Sequence, residues 1–240
     1  MSRYAPPPPA YAPQQVAVQP RDLSYLFAFK NEWNRPLFSS FKPCPKSALA
    51  CFCTPCYTAK VIDRTNDNYC TGFCNPWSLM ALRTKVRTAF RIQGNLVEDC
   101  LVATCCTAPC AVLQIDHELD CQGIPAMGGK RLIVLVQTRP GHDAWSYENT
   151  WKQPLFDCCR STKLCCLICW CCPCKSYGIY HRLGENCVSW CWPMTLWSLR
   201  TKIRTLFRIQ GSLCGDCAAV QCCGCCALVQ MHRELDLQGL

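Results

Sequence analysis

Apolar residues recur at helical spacing twice along this chain. Leu79, Leu82, Val86 and Phe90 mark one stretch, and Leu196, Leu199, Ile203 and Phe207 mark a second. That rhythm predicts two amphipathic helices. Pro76 and Pro193 stand just ahead, where a first helical turn tolerates proline, and Gly94 and Gly211 follow where a left-handed C-cap belongs. Shorter alternating segments, Val16-Ala17-Val18-Gln19 and Leu132 to Gln137, predict strands, the second closed by the turn residues Arg139-Pro140-Gly141. Trp145, Tyr147, Trp151 and Phe156 come next and are expected to pack in a core. After each helix comes an uncharged run, Cys100 to Ile115 (16 residues) and Cys217 to Met231 (15 residues). Both are shorter than the ~20 residues of a spanning helix, so each predicts a buried Cys/Ala/Val helix. Their ends, Asp116 to Asp120 and Arg233 to Asp236, are expected to return to solvent.

The two patterns are copies of one unit. LRTKVRTAFRIQG (Leu82 to Gly94) returns as LRTKIRTLFRIQG (Leu199 to Gly211). Around it Trp33, Cys51, Cys53 and Cys56 match Trp151, Cys169, Cys171 and Cys174, all shifted by 118 residues. Later, Asp99 matches Asp216, and Glu118-Leu119-Asp120 matches Glu234-Leu235-Asp236. The repeat therefore predicts two domains, each of ordinary domain size. The organisation is a Pro-rich tail (1–15), a first domain (16–124), a linker (125–131) and a second domain (132–240). The expected fold class is α+β: a small cysteine-rich domain in tandem duplicate, with short strands and loops, then the basic helix, then the cysteine-rich helix.

Composition changes the picture in two ways. First, 27 of 240 residues are cysteine, an odd number, so at least one has no intramolecular disulfide partner. The opening, MSRYAPPPPAYAPQQ, has no apolar stretch and does not read as a signal peptide. The expected location is thus the cytoplasm or the cytoplasmic face of a membrane, where clustered cysteines stay as thiols or hold metal more often than they form disulfides. Second, the net charge of +9 favours an anionic partner. Arg83, Arg87 and Arg91, with Arg200, Arg204 and Arg208, form stripes spaced by four residues beside each apolar face. Such a stripe suits anionic lipid headgroups, or it is solvated or paired with acids elsewhere in the fold. No nucleic-acid module is present, and none is expected to bind.

The densest chemistry is CCLICWCCPCKSYG, from Cys165 to Gly178. Cys166, Cys169, Cys171, Cys172 and Cys174 lie within a few turns of chain, and Cys222, Cys223, Cys225 and Cys226 join them if the last helix folds back. Thiolates in such a cluster suit zinc or another soft metal ion, though small buried cysteines also serve as plain core. The first copy is eroded: Ala48 and Thr54 stand where Cys166 and Cys172 stand in the second. The histidines His117, His142, His181 and His232 form no HExxH or Cys/His pair, and His117 and His232 are expected at the surface. With no phosphate loop, dinucleotide fingerprint or nucleophile elbow, no enzyme is expected.

Cys166-Leu167, Cys172-Pro173-Cys174 and the stretch Leu199 to Leu235 together resemble the placenta-specific-8/cornifelin family, which includes plant cadmium-resistance and cell-number-regulator proteins. The resemblance covers nearly all of residues 30–124 and 148–240; the doubling and the Thr54-Pro55-Cys56 of the first copy depart from it. It implies a small cysteine-rich domain, membrane association, and roles from divalent-metal handling to cornified-envelope structure. Two functional expectations follow: a membrane-associated protein handling divalent metal of the zinc or cadmium type, or a structural protein whose cysteines pack or cross-link. The tail adds Pro8-Pro9-Ala10-Tyr11, a P-P-x-Y ligand for a WW domain, or else a solubilising segment. Homo-oligomer formation is open.

Overall fold

A computed structural model describes residues 28–40, 45–74, 77–104, 107–124, 145–158, 162–191 and 194–240. Among these residues every regular element is a helix; there is no strand or sheet, and the α+β expectation is overturned. The only β pairing among them is two isolated parallel bridges, Asn31 to Ile92 and Asn149 to Ile209. The segments expected as strands, Val16 to Gln19 and Leu132 to Gln137, lie outside the described residues. The cysteine blocks, expected within the strand-and-loop part, are instead helix pairs.

The first half runs α1 (Pro45–Phe52), α2 (Thr54–Arg64), the single turn α3 (Thr71–Cys74), the basic helix α4 (Ser78–Ala89), α5 (Leu96–Thr104) and α6 (Ala108–Cys121). The second runs α7 (Thr162–Trp170), α8 (Cys172–Arg182), the basic helix α9 (Thr195–Leu206) and α10 (Leu213–Gln238). Pro55 and Pro173 sit in the first turns of α2 and α8, where a missing N–H leaves no hydrogen bond unmade. The cysteine-rich helix is bent differently in the two copies. α5 and α6 meet at 119°, whereas α10 runs 26 residues with non-helical backbone at Cys223. By length and composition α10 is apolar enough to cross a bilayer, but its second half, Ala227 to Leu235, mostly fills the core of its own domain.

The basic helices end one turn earlier than their glycines suggested. Arg91 (φ 54°) and Arg208 (φ 51°) take the left-handed position, and Ile92 N and Ile209 N donate back to Arg87 O (2.9 Å) and Arg204 O (2.8 Å). Asparagine holds each turn from outside: Asn31 Nδ2 donates to Phe90 O, and Asn149 Nδ2 to Phe207 O, both at 2.7 Å. Gly94 and Gly211 serve a different need. A Cβ there would stand 3.2 Å from Arg87 Cδ and 3.0 Å from Arg204 Cδ, so the missing side chain makes room for an arginine crossing the backbone.

That crossing belongs to the seam between the halves. α4 lies against α9, and both are enclosed on nearly every side. The contacts at this seam are reciprocal. Asp67 Oδ1 of the first half accepts from Leu213 N at the start of α10, and Glu185 Oε2 of the second accepts from Leu96 N at the start of α5, each at 2.8 Å. Each carboxylate thus meets an unpaired N–H at the positive end of a helix in the other half. Lys85 pairs with Asp67 and lies 5.8 Å from the Tyr147 ring of the second half. Lys202 pairs with Glu185 at 2.5 Å and lies 5.3 Å from the Phe29 ring of the first. Apolar residues cross too: Leu96 is buried in the second half's core, while Trp145, Trp197 and Leu213 are buried in the first half's.

Two surface expectations are also corrected. Asp116, Glu118, His232 and Glu234 are buried, because each has partners that the sequence order conceals. Glu118 accepts from Asn34 N and Asn34 Nδ2, and Glu234 from Lys152 N, fastening the entry segment of each half to its last helix. Conversely Phe156, expected in the core, is 81% exposed, as is its counterpart Phe38 at 72%.

Candidate functional site

The second half brings its two cysteine blocks together. α10 folds back on α7, so that Cys225 faces Cys169 and Cys172, and Cys226 faces Cys158 and Cys223. The Cys158 and Cys226 sulfurs are 3.2 Å apart. Burial, and then the neighbouring sulfurs Cys169 and Cys172, push the Cys225 thiol up. The Cys226 thiol is raised first by its hydrogen bond with Cys223, then by burial and by Cys158. Thiols crowded in this way resist ionising together unless a cation compensates their charge.

The residues expected as ligands fall into three groups. Cys169, Cys172, Cys223 and Cys226 belong to the gathered set; Cys172 also lies 3.8 Å from Ser176 Oγ. Cys166 and Cys222 are exposed on α7 and α10. Cys171 and Cys174 are joined to each other in a disulfide, a state in which neither is a thiolate ligand. Among the described residues no group of three or more histidine, cysteine or acidic side chains is arranged to hold a metal ion in this structure. Cys225, expected to join when the last helix folds back, belongs to the gathered set too, whereas Cys158 was not among the expected ligands. Cys158 follows Phe156-Asp157 directly and its equivalent is Ser40, so a comparison of the two copies marks it as a cysteine particular to the second half.

The arginine stripes are turned inward. Arg83, Arg87, Arg200 and Arg204 are all buried, and their anions are the protein's own carboxylates. Asp99 takes Arg83 Nε at 3.1 Å, Arg87 Nε at 2.9 Å and Thr84 Oγ1 at 3.0 Å. Asp216 takes Arg200 Nε at 3.3 Å, Arg204 Nε at 2.7 Å and Thr201 Oγ1 at 3.1 Å. Arg83 and Arg200 each lie 4.3 Å from a tryptophan ring, Trp33 and Trp151. Burial lowers the pKa of Arg83, Arg200 and Lys202, and brings Lys85 down to about 8. Only Arg91 and Arg208 of the six lie in partly exposed positions, and Arg208 donates to Ser146 O. Pro8, Pro9 and Tyr11 lie outside the described residues.

Exposed apolar side chains mark a different surface. Phe52 and Trp170, at equivalent positions, are each 92% exposed at the ends of α1 and α7. Exposed cysteines, Cys51 beside Phe52 and Cys169 beside Trp170, accompany them.

The family model described as the PLAC8 family matches residues 33–118 and 151–234. PLAC8-like protein 1 of Mus musculus is 35% identical over 116 residues, covering 47% of this chain and 59% of the relative. Cornifelin of Bos taurus is 40% identical over 106 residues, covering 43% of this chain and 96% of the relative. Protein PLANT CADMIUM RESISTANCE 2 of Arabidopsis thaliana is 32% identical over 108 residues, covering 38% and 70%. The matched part is thus about six tenths of the mouse and human PLAC8-like proteins and nearly the whole of bovine cornifelin. No solved structure matches.

Proposed function

The chain belongs to the PLAC8 family, carrying its domain twice, and from that premise we propose that it is a non-catalytic protein that handles soft divalent metal ions through the thiols of its second half. The observation that carries this reading is the meeting of α7, α8 and α10, which sets Cys225 against Cys169 and Cys172. Thiolates favour zinc and cadmium over harder ions. Such an ion would also offset the mutual repulsion of ionised sulfurs, which the crowded thiols alone oppose. Cys158, Cys223 and Cys226 form an adjoining reserve of sulfur. The metal is cargo in this reading rather than a resident structural ion. One relative is named for plant cadmium resistance, which agrees with the proposal.

The proposed setting is a membrane surface, touched by the exposed Phe52 and Trp170 rather than by the buried arginines. Rings that prefer an interface, on a protein of net charge +9, suit an anionic bilayer. The Pro8-Pro9-Ala10-Tyr11 tail adds a proposed WW-domain partner. The second reading, a cross-linked structural protein, rests on the exposed free thiols Cys51, Cys70, Cys121, Cys166, Cys191, Cys214 and Cys222, and on the cornifelin relatives.

Elemental analysis of the full chain, reduced and then dialysed against micromolar zinc or cadmium, separates the two. Stoichiometric metal that is lost in Cys169→Ser/Cys172→Ser/Cys225→Ser supports the metal reading. Metal-free protein that forms intermolecular disulfides on oxidation supports cross-linking instead.

A further inference from the structure

Both cysteine blocks contain a C-x-P-C phrase, Cys53-Thr54-Pro55-Cys56 and Cys171-Cys172-Pro173-Cys174. In both, the outer cysteines are disulfide-bonded, and the first of them is the N-cap of an 11-residue helix with proline in its first turn. The Cα separations, 5.3 Å and 5.6 Å, lie in the ordinary range for a bridge. Immediately before each phrase stands an almost wholly exposed aromatic ring, Phe52 or Trp170. The same four-part arrangement therefore occurs twice: exposed ring, N-cap cysteine, proline, second cysteine.

A structural staple is a poor description of these bonds. Each closes a loop of only three residues' separation, and the entropy that a cross-link removes from the unfolded chain shrinks with loop length. The first helix is anchored by other means: Val61 and Ile62 are buried in full, and Tyr57 and Arg64 both hold Asp116. A C-x-x-C pair at the head of a helix is instead the arrangement in which dithiol and disulfide interconvert. The N-terminal end of the helix favours the negative charge that a released sulfur carries.

We propose that Cys53–Cys56, and its copy Cys171–Cys174, are dithiol/disulfide couples that exchange with thiol-bearing substrates, small thiols of the glutathione class among them. A substrate thiolate attacks Cys53 Sγ; the Cys53–Cys56 bond breaks, and Cys56 leaves as a thiolate that takes a proton from solvent. A second substrate thiolate then attacks the substrate sulfur of this mixed disulfide. It forms the substrate disulfide and releases Cys53, which also takes up a proton. Two thiols have given two electrons and two protons to the pair, and the reverse sequence returns them. Phe52 offers an apolar surface to the body of the substrate beside the reacting sulfur. The first-half couple shares no residue with the proposed metal thiols, so it stands or falls separately from that reading.

The test equilibrates the full chain in glutathione buffers from oxidising to reducing, quenches with acid, and maps thiols by differential alkylation and mass spectrometry. Cys53 and Cys56 are expected to pass together from bridged to reduced within the buffer range. Cys56→Ser is expected to carry glutathione on Cys53 well above the level on exposed Cys51 and Cys70. Retention of the helical circular dichroism shows that the variant is folded. A pair that stays bridged in the most reducing buffer, or never bridges in the most oxidising one, overturns the proposal. So does glutathione on Cys53 no higher than on Cys51 and Cys70.

Discussion

The two halves share a frame but fill the same cradle with different chemistry. In the first, Arg64 holds Asp116, Asp120 (2.7 Å) and Ile124 O, while Tyr57 and Lys46 also reach Asp116, at 2.8 Å and 2.9 Å. In the second, Arg182 takes the equivalent Asp236 at 2.6 Å and Leu240 O, but His232 replaces Asp116 and Lys175 replaces Tyr57. His232 lies 3.4 Å from Arg182 and 2.9 Å from Lys175 O. One cradle thus joins two cations to two carboxylates, whereas the other holds a single Arg182–Asp236 pair beside an imidazole. By contrast the seam is nearly identical in both halves. The lesson is that the duplicated unit is held constant where the halves meet and diverges at the outer end of each, as the thiols do.

The largest effect is expected at the seam. Asp99→Ala and Asp216→Ala each leave two buried arginines without their carboxylate, at about 3–5 kcal/mol. Near-equal losses in Tm sharpen the comparison, whereas a loss confined to one variant breaks the symmetry. Next come Leu96→Ala and Leu213→Ala, at roughly 2–5 kcal/mol each. Because each leucine is buried in the opposite core, hydrogen exchange should rise across the half that does not contain the substitution. Exchange rising only locally would show that the halves are independent.

The cradles are expected to differ in pH response. Burial opposes ionisation of Asp116, but hydrogen bonds from Lys46 and Tyr57 and the charge of Arg64 outweigh it, leaving the carboxyl below its ordinary value of 3.8. The folded first half therefore gains stability above 3.8 and loses it as pH falls through the lowered value. Burial lowers His232 below 6.5. Between its folded value and 6.5 the unfolded chain binds more protons, so stability rises with pH across that window and the penalty is absent above it. Denaturant midpoints should accordingly decline below pH 6.5 in the parent chain and decline less in His232→Gln, while Asp116→Asn alters only the acid limb. An unchanged profile for His232→Gln would contradict this account. The smallest change is expected for Phe52→Ser and Trp170→Ser, within about 0.5 kcal/mol in solution, because neither ring is buried. Their effect should appear in sedimentation with anionic vesicles, where the parent chain binds and the double variant does not.

The basic helices and the duplication were legible because period and self-similarity are local properties. The burial of their arginines was not, since Asp99 and Asp216 lie on the following helix and Asp67 and Glu185 in connecting segments. The Arg91 and Arg208 caps were hidden because the residues that hydrogen-bond to these turns, Asn31 and Asn149, lie 59 and 58 residues before the carbonyls their side chains bond. The meeting of the cysteine blocks was legible as a conditional reading, and α10 fulfils its condition by folding back. The separate pairing of Cys171 with Cys174 was not, although C-x-P-C ahead of a helical pattern carried the signal.

The most direct measurement titrates the reduced full chain with cadmium and follows thiolate-to-metal charge-transfer absorbance in the ultraviolet. The account predicts saturable, stoichiometric absorbance that disappears in Cys169→Ser/Cys172→Ser/Cys225→Ser and persists in Cys51→Ser/Cys70→Ser. Equal loss in both variants, or unsaturated binding spread over all exposed thiols, would contradict a metal site in the second half.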